Sequence, residues 1–345
     1  MNKVTISDVA READVSITTV SRIINGNYPV KHSTKLKVEK AIQELNFQPN
    51  ILARGLIQGK TYTIGVLIPS ITNMFFSVVI SGIQDYFKNK GYQIITCCTD
   101  GNAKEEAQAL AQLLGHQVDG IISVDPVTAN IKNKCYEYAA KQKPLVLVNG
   151  YHHGIKLNFI LNDHEAGAAE ALSYLFSLGH RRIALLRGKS SYSYDIKEQV
   201  YYKSLEEKGI PITDELIVNI EEGNSIETIE RSNQVITNIL SIPNRPTAIF
   251  ACNDFMAVGA SYAATQYGLK VPENLSIIGY DNIIISEIAM TKLTTVDQNM
   301  FQLGTAASKM LLQLIGGTQN GYTKQIFDTK LIIRDSCTEL REIKY

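Results

Sequence analysis

Seven short apolar runs recur along most of this chain: TIGVLI (63–68), YQIITC (92–97), GIISV (120–124), LVLVN (145–149), RIALL (182–186), TAIFA (247–251) and SIIGY (276–280). They are partly β-branched and lack the polar alternation of a strand with one face in water, so they suit parallel strands buried on both faces. Stretches with apolar residues at helical spacing lie among them, at 76–88, 104–114, 165–178, 196–208, 225–240 and 255–267. Strand and helix in alternation admit few architectures, and here they predict two doubly wound α/β units.

The first two dozen residues obey a different rule. In VTISDVAREADVSITTVSRIING (4–26), Thr5 stands three residues before Asp8, an N-cap signature, and Ile6, Val9 and Ala10 give a short helix one apolar face. Ala13, Asp14 and Val15 make a turn. Ser16 caps a second helix whose Val20, Ile23 and Ile24 point inward, and Asn25-Gly26 stops it. Two short helices joined by a tight turn form a helix-turn-helix, whose second helix enters the major groove of DNA. Its outward residues fit that task. Arg22 has the fork for guanine O6 and N7, Thr18 bonds a base or phosphate, and Ile17 packs on a thymine methyl. A helical hairpin buried in a larger core is the alternative, but Ser, Thr and Arg on the outer face leave only one side to bury.

After a polar loop, Ser33 or Thr34 is expected to cap a third helix with Val38, Ala41, Ile42 and Leu45 at helical spacing. Its other face carries Lys35, Lys37 and Lys40, either a solvated face or a phosphate contact. Pro49 to Gly59 reads as a linker with a helical pattern. Ile51, Leu52 and Leu56 form a stripe too small to hold a helix alone in water, and Gly55 weakens it by ~1 kcal/mol relative to Ala.

The formal net charge is zero, yet residues 1–60 contain nine Lys/Arg against five Asp/Glu, leaving +4 on the head and −4 on the rest. A basic head on an acidic body suits a head that meets phosphate, although a solvated basic surface is the commoner cause. No apolar stretch follows a basic start and no run reaches membrane-spanning length, so a cytoplasmic protein without membrane contact is expected. Cys97, Cys98, Cys135, Cys252 and Cys337 are odd in number and show no C-x-x-C pair. They read as reduced, mostly buried thiols, neither disulfides nor metal ligands.

Several motifs in register, VTISDVAREADVSITTVSRIING, VKHSTKLKVEKAIQELNFQPNILARGL, IGVLIPSITNMFF, DGIISVDP, LGHRRIALLRG, FACNDFMAVGA and IIGYDN, resemble the LacI/GalR family of bacterial transcription regulators over nearly the whole length. The resemblance implies a small all-α helix-turn-helix head (1–48), a hinge helix or linker (49–60), and an α/β periplasmic-binding-protein-like body (61–345) of two doubly wound parallel-sheet subdomains. It implies that the chain crosses between subdomains near Leu161, Thr291 and Tyr322. The first subdomain then holds 61–161 plus 292–322, the second 162–291 plus 323–345, and the strand LIIRD completes the second. It further implies a repressor that binds double-stranded operator DNA as a homodimer, with Thr5, Ser16, Thr19, Ser21 and Asn25 beside Ile17, Thr18 and Arg22 at the DNA. The hinge would add Asn50, Ala53 and Leu56, with Leu56 wedged into the minor groove.

Ligands of parallel α/β sheets bind beyond the carboxyl ends of the strands. Asp125, Asn149, Asn253 and Asp281 follow four of the runs above, and Asn73, Phe75 and Phe76 follow the first. Acceptors, amide donors and ring faces suit a sugar, whereas singly each residue fits a turn, a cap or a core position. Many relatives grip the effector with an Arg where this chain has Lys197, close to Asp195, and Lys lacks the planar fork. The loop SSYSY (190–194) either lines the mouth in its place or is a plain polar loop.

Two other classes compete, a sugar-processing α/β enzyme and a sugar-binding protein. The sequence carries no G-x-G-x-x-G, Walker loop, G-x-S-x-G or H-E-x-x-H, so no catalytic residue, cofactor or metal is expected. His152-His153 reads as a solvated pair. The helix-turn-helix decides against a bare binding protein.

Overall fold

The computed structural model describes residues 4–25, 29–47, 60–150, 154–189, 191–221, 223, 226–319 and 321–340. The linker residues Asn50, Ala53 and Leu56, the pair His152 and His153, Ser190 and the side chain of Asn25 lie outside the described residues. The chain divides into two compact units, 1–61 and 62–345.

The first unit holds α1 (Ile6–Glu12), α2 (Ile17–Asn25) and α3 (His32–Glu44). Thr5 and Asp8 form a capping box, and the Thr5 hydroxyl holds the Asp8 carboxyl below its ordinary pKa. Asp14 takes the left-handed conformation (φ 52°) that turns the chain, and the Thr19 amide donates to Ser16 Oγ at 3.1 Å to start α2. Val9, Ala10, Ala13, Val20, Val38 and Ala41 bury together as its core. The third helix departs from expectation: Lys31 is its N-cap and supplies no side-chain bond, so neither Ser33 nor Thr34 caps it. Packing of Val38 and Ala41 sets that helix, and its exposed first turn leaves the leading amides to solvent.

The second unit contains two six-stranded sheets. In chain order it runs β1 (Thr63–Ile68), α4 (Met74–Lys88), β2 (Gln93–Cys98), α5 (Ala103–Gly115), β3 (Gly120–Val124), α6 (Thr128–Lys132), α7 (Cys135–Ala140), β4 (Leu145–Val148) and β5 (Asn158–Asn162). There follow α8 (His164–Ser177), β6 (Ile183–Gly188), α9 (Tyr192–Glu207), β7 (Ile217–Ile220), α10 (Thr228–Leu240), β8 (Ala248–Ala251), α11 (Asp254–Gln266) and β9 (Ser276–Asp281). The last elements are α12 (Ile285–Ile288), β10 (Thr294–Asp297), α13 (Met300–Ile315), β11 (Lys324–Phe327) and β12 (Lys330–Ile332). The first sheet has the order β11-β5-β4-β3-β1-β2 and the second β12-β10-β9-β8-β6-β7. All pairings are parallel except β10 with β12. Strands β3, β4, β5, β6, β8 and β9 are buried throughout, the physical reason that all of these but β5, with Asn at both ends, read as continuous apolar runs.

Two of the three expected crossings move. β10 pairs with β9 in the second sheet, and β11 pairs with β5 in the first. The chain therefore crosses after Asn162, between Asp297 and Met300, and between Phe327 and Lys330, rather than at Thr291 and Tyr322 for the second and third. Val296 and Leu331 bury in the core of the second subdomain, a long-range choice of partner that local periodicity does not encode. Helices α4 and α13 meet backbone to backbone: a Cβ on Gly82 would lie 2.2 Å from the Phe301 carbonyl oxygen, and one on Gly304 2.1 Å from that of Val79. The cysteines also depart from expectation, for only Cys252 is fully buried and Cys98 is exposed. Among the described residues no helix is long and apolar enough to cross a membrane.

Candidate functional site

On the head, Thr18 and Arg22 are exposed along α2 with Ile17 half exposed, and Ser21 is half-buried. Thr5, Ser16 and Thr19 lie at helix starts with their hydroxyls engaged inside the protein. Thr5 Oγ1 bonds Asp8 Oδ2 at 2.7 Å, and Ser16 Oγ and Thr19 Oγ1 are 2.9 Å apart. On α3, Lys35 pairs with Glu39 at 3.7 Å and Lys40 with Glu44 at 3.5 Å. Exposed pairs of this kind are weak, so they leave both amines available to phosphate.

In the body, all eight residues expected at the effector site, Asn73, Phe75, Phe76, Asp125, Asn149, Lys197, Asn253 and Asp281, line one cavity of about 30 Å³ between the ends of the two sheets. That is room for one or two waters, so a sugar ring enters only if the walls move apart. Asp125 and Asn149 leave β3 and β4 in left-handed conformations (φ 48° and 61°), which turn their side chains into the gap. Asn73 and Asn253 are caps as well as lining: Asn73 Oδ1 accepts from the Phe75 amide at 2.9 Å, and Asn253 Oδ1 from the Met256 amide at 2.9 Å. Phe75 and Phe76 meet edge to face at 5.3 Å, both buried in the core and both touching the cavity.

Lys197 is the charged centre. It is 1% exposed, donates to the Cys252 carbonyl at 2.9 Å, and holds its ammonium 3.6 Å from the centroid of the Tyr280 ring. Burial lowers its pKa. Burial also pushes Asp125 up to about 6, against a Ser191 hydroxyl 3.3 Å away, and pushes Asp281 up to about 7 despite Lys197 and a bond from Gln298 Nε2. Arg187, near the end of β6, pairs with Asp195 and Glu198 and does not line the cavity.

Three further cavity residues, His164, Cys252 and Gln298, carry no signal in the sequence analysis, whereas Ser193 and Tyr194 belong to SSYSY, and their place in the lining favours the first of the two readings of that stretch. His164 and Gln298 stand just beyond β5 and β10, so the strand-end rule would have found them had NFILN and TTVD been read as strands. Ser193 and Tyr194 belong to the first turn of α9, which begins at Tyr192 rather than in a loop running to Ile196.

Residues 5–50 match the family described as bacterial regulatory proteins, lacI family, and residues 172–337 match the periplasmic binding protein-like domain. Catabolite control protein A of Priestia megaterium is 38% identical over 311 residues, which cover 89% of this chain and 91% of that protein. The chain belongs to the lacI family of bacterial regulatory proteins. Among solved structures of the family, the lac repressor dimer bound to operator and the anti-inducer ONPF superposes with a TM-score of 0.86 at 29% identity, over 98% of this chain and 100% of that one. A lacI family regulator from Enterococcus faecium with bound ribose gives 0.70 at 28% identity, over 81% of this chain and 100% of that one. This lacI family member is thus a DNA-binding transcription regulator with a small-molecule-binding body. Its relatives are regulators, and among the described residues no cluster of His, Cys, Asp and Glu is placed to hold a metal.

Proposed function

We propose that the protein is a homodimeric repressor whose hold on its operator is set by a sugar or sugar derivative bound in the cleft of the body. The convergence of eight residues from six strand and helix ends on one cavity carries this reading. Ile17, Thr18 and Arg22 read bases, Thr5, Ser16, Thr19, Ser21 and Asn25 hold the head at the backbone, and Asn50, Ala53 and Leu56 of the linker enter the minor groove. The working division is a head of 1–48, a hinge of 49–60 and a body of 61–345, in a cytoplasmic protein. The lac repressor dimer on its operator and the ribose-bound relative support operator, dimer and sugar by analogy.

Two heads related by a two-fold axis supply affinity that one head lacks. The body offers apolar surface for the pairing: Ile284, Ile288 and Met290 are 49%, 71% and 99% exposed, and edge strand β2 keeps residues of both faces in water. The deciding experiment is a gel shift on the DNA upstream of its own gene, repeated with a panel of sugars. A specific shift that one sugar alters is the expected result. Absence of any sequence-specific shift overturns the reading.

A further inference from the structure

His164 opens α8 and lines the cleft, 4% exposed, and neither ring nitrogen has a hydrogen-bond partner among the described residues. Two aromatic rings stand beside it, Tyr280 tilted at 6.2 Å between centroids and Tyr192 edge-on at 6.5 Å. A buried polar group left unsatisfied costs about 1 to 3 kcal/mol, a cost that a ligand bonding the ring in the cleft would remove. Burial drives its pKa well below the ordinary value, with Lys197 adding to the effect, so the ring is neutral. A neutral imidazole has one N–H to donate and one lone pair to accept.

The surrounding charges narrow what can enter. Among the described residues lining the cavity, Lys197 is the only lysine or arginine. Its charge is already directed at the Tyr280 face and the Cys252 carbonyl. Against it stand the carboxyls of Asp125 and Asp281 in the same cavity. A phosphate or carboxylate would add negative charge beside these two acids, with no guanidinium to meet it, because Arg187 is taken by Asp195 and Glu198. A carboxylate or a dianionic phosphate would also have no proton to give the lone pair of His164.

We propose that the cleft selects an uncharged polyhydroxy ligand and rejects its phosphorylated or carboxylated forms, with His164 as a specificity contact that donates to one hydroxyl and accepts from another. The inference rests on the cleft being the effector site. A hydroxyl both gives and takes a proton, and vicinal hydroxyls on a sugar supply the two roles side by side. The acids and the three asparagines serve the remaining hydroxyls.

The test is isothermal titration of the full chain with ribose, glucose and galactose, and with glucose 6-phosphate, galactose 6-phosphate, ribose 5-phosphate and glucuronate. At least one neutral sugar is expected to bind, and its charged counterpart to bind at least ~10-fold more weakly. His164→Phe keeps a ring and removes both polar atoms, so it should weaken the neutral sugar by about tenfold, whereas His164→Gln keeps a donor and an acceptor and should retain most of the affinity. Thermal melts of both variants verify that they fold, and the Gln variant carries the test if the Phe variant does not. Tighter binding of a charged form, or equal affinity of parent and Phe variant for the neutral sugar, overturns the inference and leaves the effector site standing. If no probe binds while operator DNA does, the sugar reading itself falls, and the inference with it.

Discussion

The Lys197 ammonium and the Tyr280 ring stack at 3.6 Å in the wall of the cleft, with the lysine 1% exposed. The aromatic face and the Cys252 carbonyl satisfy part of a charge whose burial would otherwise be costly, and Asp125 and Asp281 see it as their nearest cation. Lys197→Met preserves volume and removes the charge. At pH 5 the two carboxyls are largely protonated, and the variant should match the parent in urea denaturation. At pH 8 it should fall behind by ~1 to 3 kcal/mol, the scale of an uncompensated buried polar group. An equal loss at both pH values would show that packing, not charge, is what Lys197 supplies.

Asp281 gives a pH prediction of its own. Its folded pKa, about 7, lies above the ordinary 3.8, so between those values the folded state binds more protons than the unfolded state. The stability that Asp281 contributes is therefore complete below pH 3.8 and is lost as pH rises through 7. Asp281→Asn removes the titration, and its stability relative to the parent should rise between pH 4 and 7 by up to ~1.4 kcal/mol per pH unit. His164 and His180, whose pKa values burial lowers, act in the opposite direction, which makes the variant-minus-parent difference the quantity to measure. A flat difference would mean that Asp281 titrates normally.

The close crossing of α4 and α13 depends on two glycines. A methyl at Gly304 would sit 2.1 Å from the Val79 carbonyl, and the obstacle is backbone that cannot rotate away. Gly304→Ala should cost at least about 2 kcal/mol by forcing the helices apart. Gly316→Ala serves as control, since its nearest neighbour is 3.4 Å away. Equal melting temperatures for the two variants would contradict the packing described.

At the head, Arg22→Ala should reduce specific operator affinity by about 1 to 3 kcal/mol and relax discrimination at one base pair. Lys37→Ala should weaken all duplexes alike and lower the salt slope by about 1. Fluorescence anisotropy on operator and scrambled duplexes separates the two. Loss of the same size on both duplexes for Arg22→Ala would remove it from base reading.

Much of this was legible before any coordinates. Strands such as GIISV and SIIGY announce themselves because both faces are buried, and Asp125 and Asp281 follow from the rule that ligands lie beyond strand ends. Other strands do not: edge strands β7 (IVNI) and β11 (KQIF) mix exposed polar residues with apolar ones, while NFILN and TTVD are interior strands whose buried Asn and Thr positions break the apolar run; which sheet each joins is fixed by partners far along the chain. His164 and Gln298 lie just beyond the two interior strands NFILN and TTVD and are hidden with them. Helix α13 also escaped, since its glycine and threonine positions lower the local signal while tertiary packing on α4 supplies its stability.

The final prediction concerns how ligand and operator communicate. Asn162 Nδ2, at the end of the first sheet, donates to Gln298 Oε1 at 2.7 Å, and Gln298 in turn donates to Asp281. This chain of bonds straps two of the crossings between subdomains, and Ser191 Oγ joins the mouth at 3.3 Å from Asp125. A ligand that bonds Asp125 and Asp281 competes with both links, and so binds one angle between the subdomains better than another. That difference is the only free energy it can use to shift the equilibrium. Linkage then requires ligand and operator to change each other's affinity by one factor, typically about 5- to 150-fold. Leu56→Ala should lower operator affinity while leaving sugar affinity of the DNA-free protein unchanged, and Gln298→Ala should shrink the coupling factor with both sites still occupied. Calorimetric titration of sugar into the parent and both variants, with and without operator, gives six sugar affinities, and anisotropy on labelled operator gives the DNA affinity of each protein. Equal sugar affinity of the parent in the two states would mean that the cleft and the head act independently.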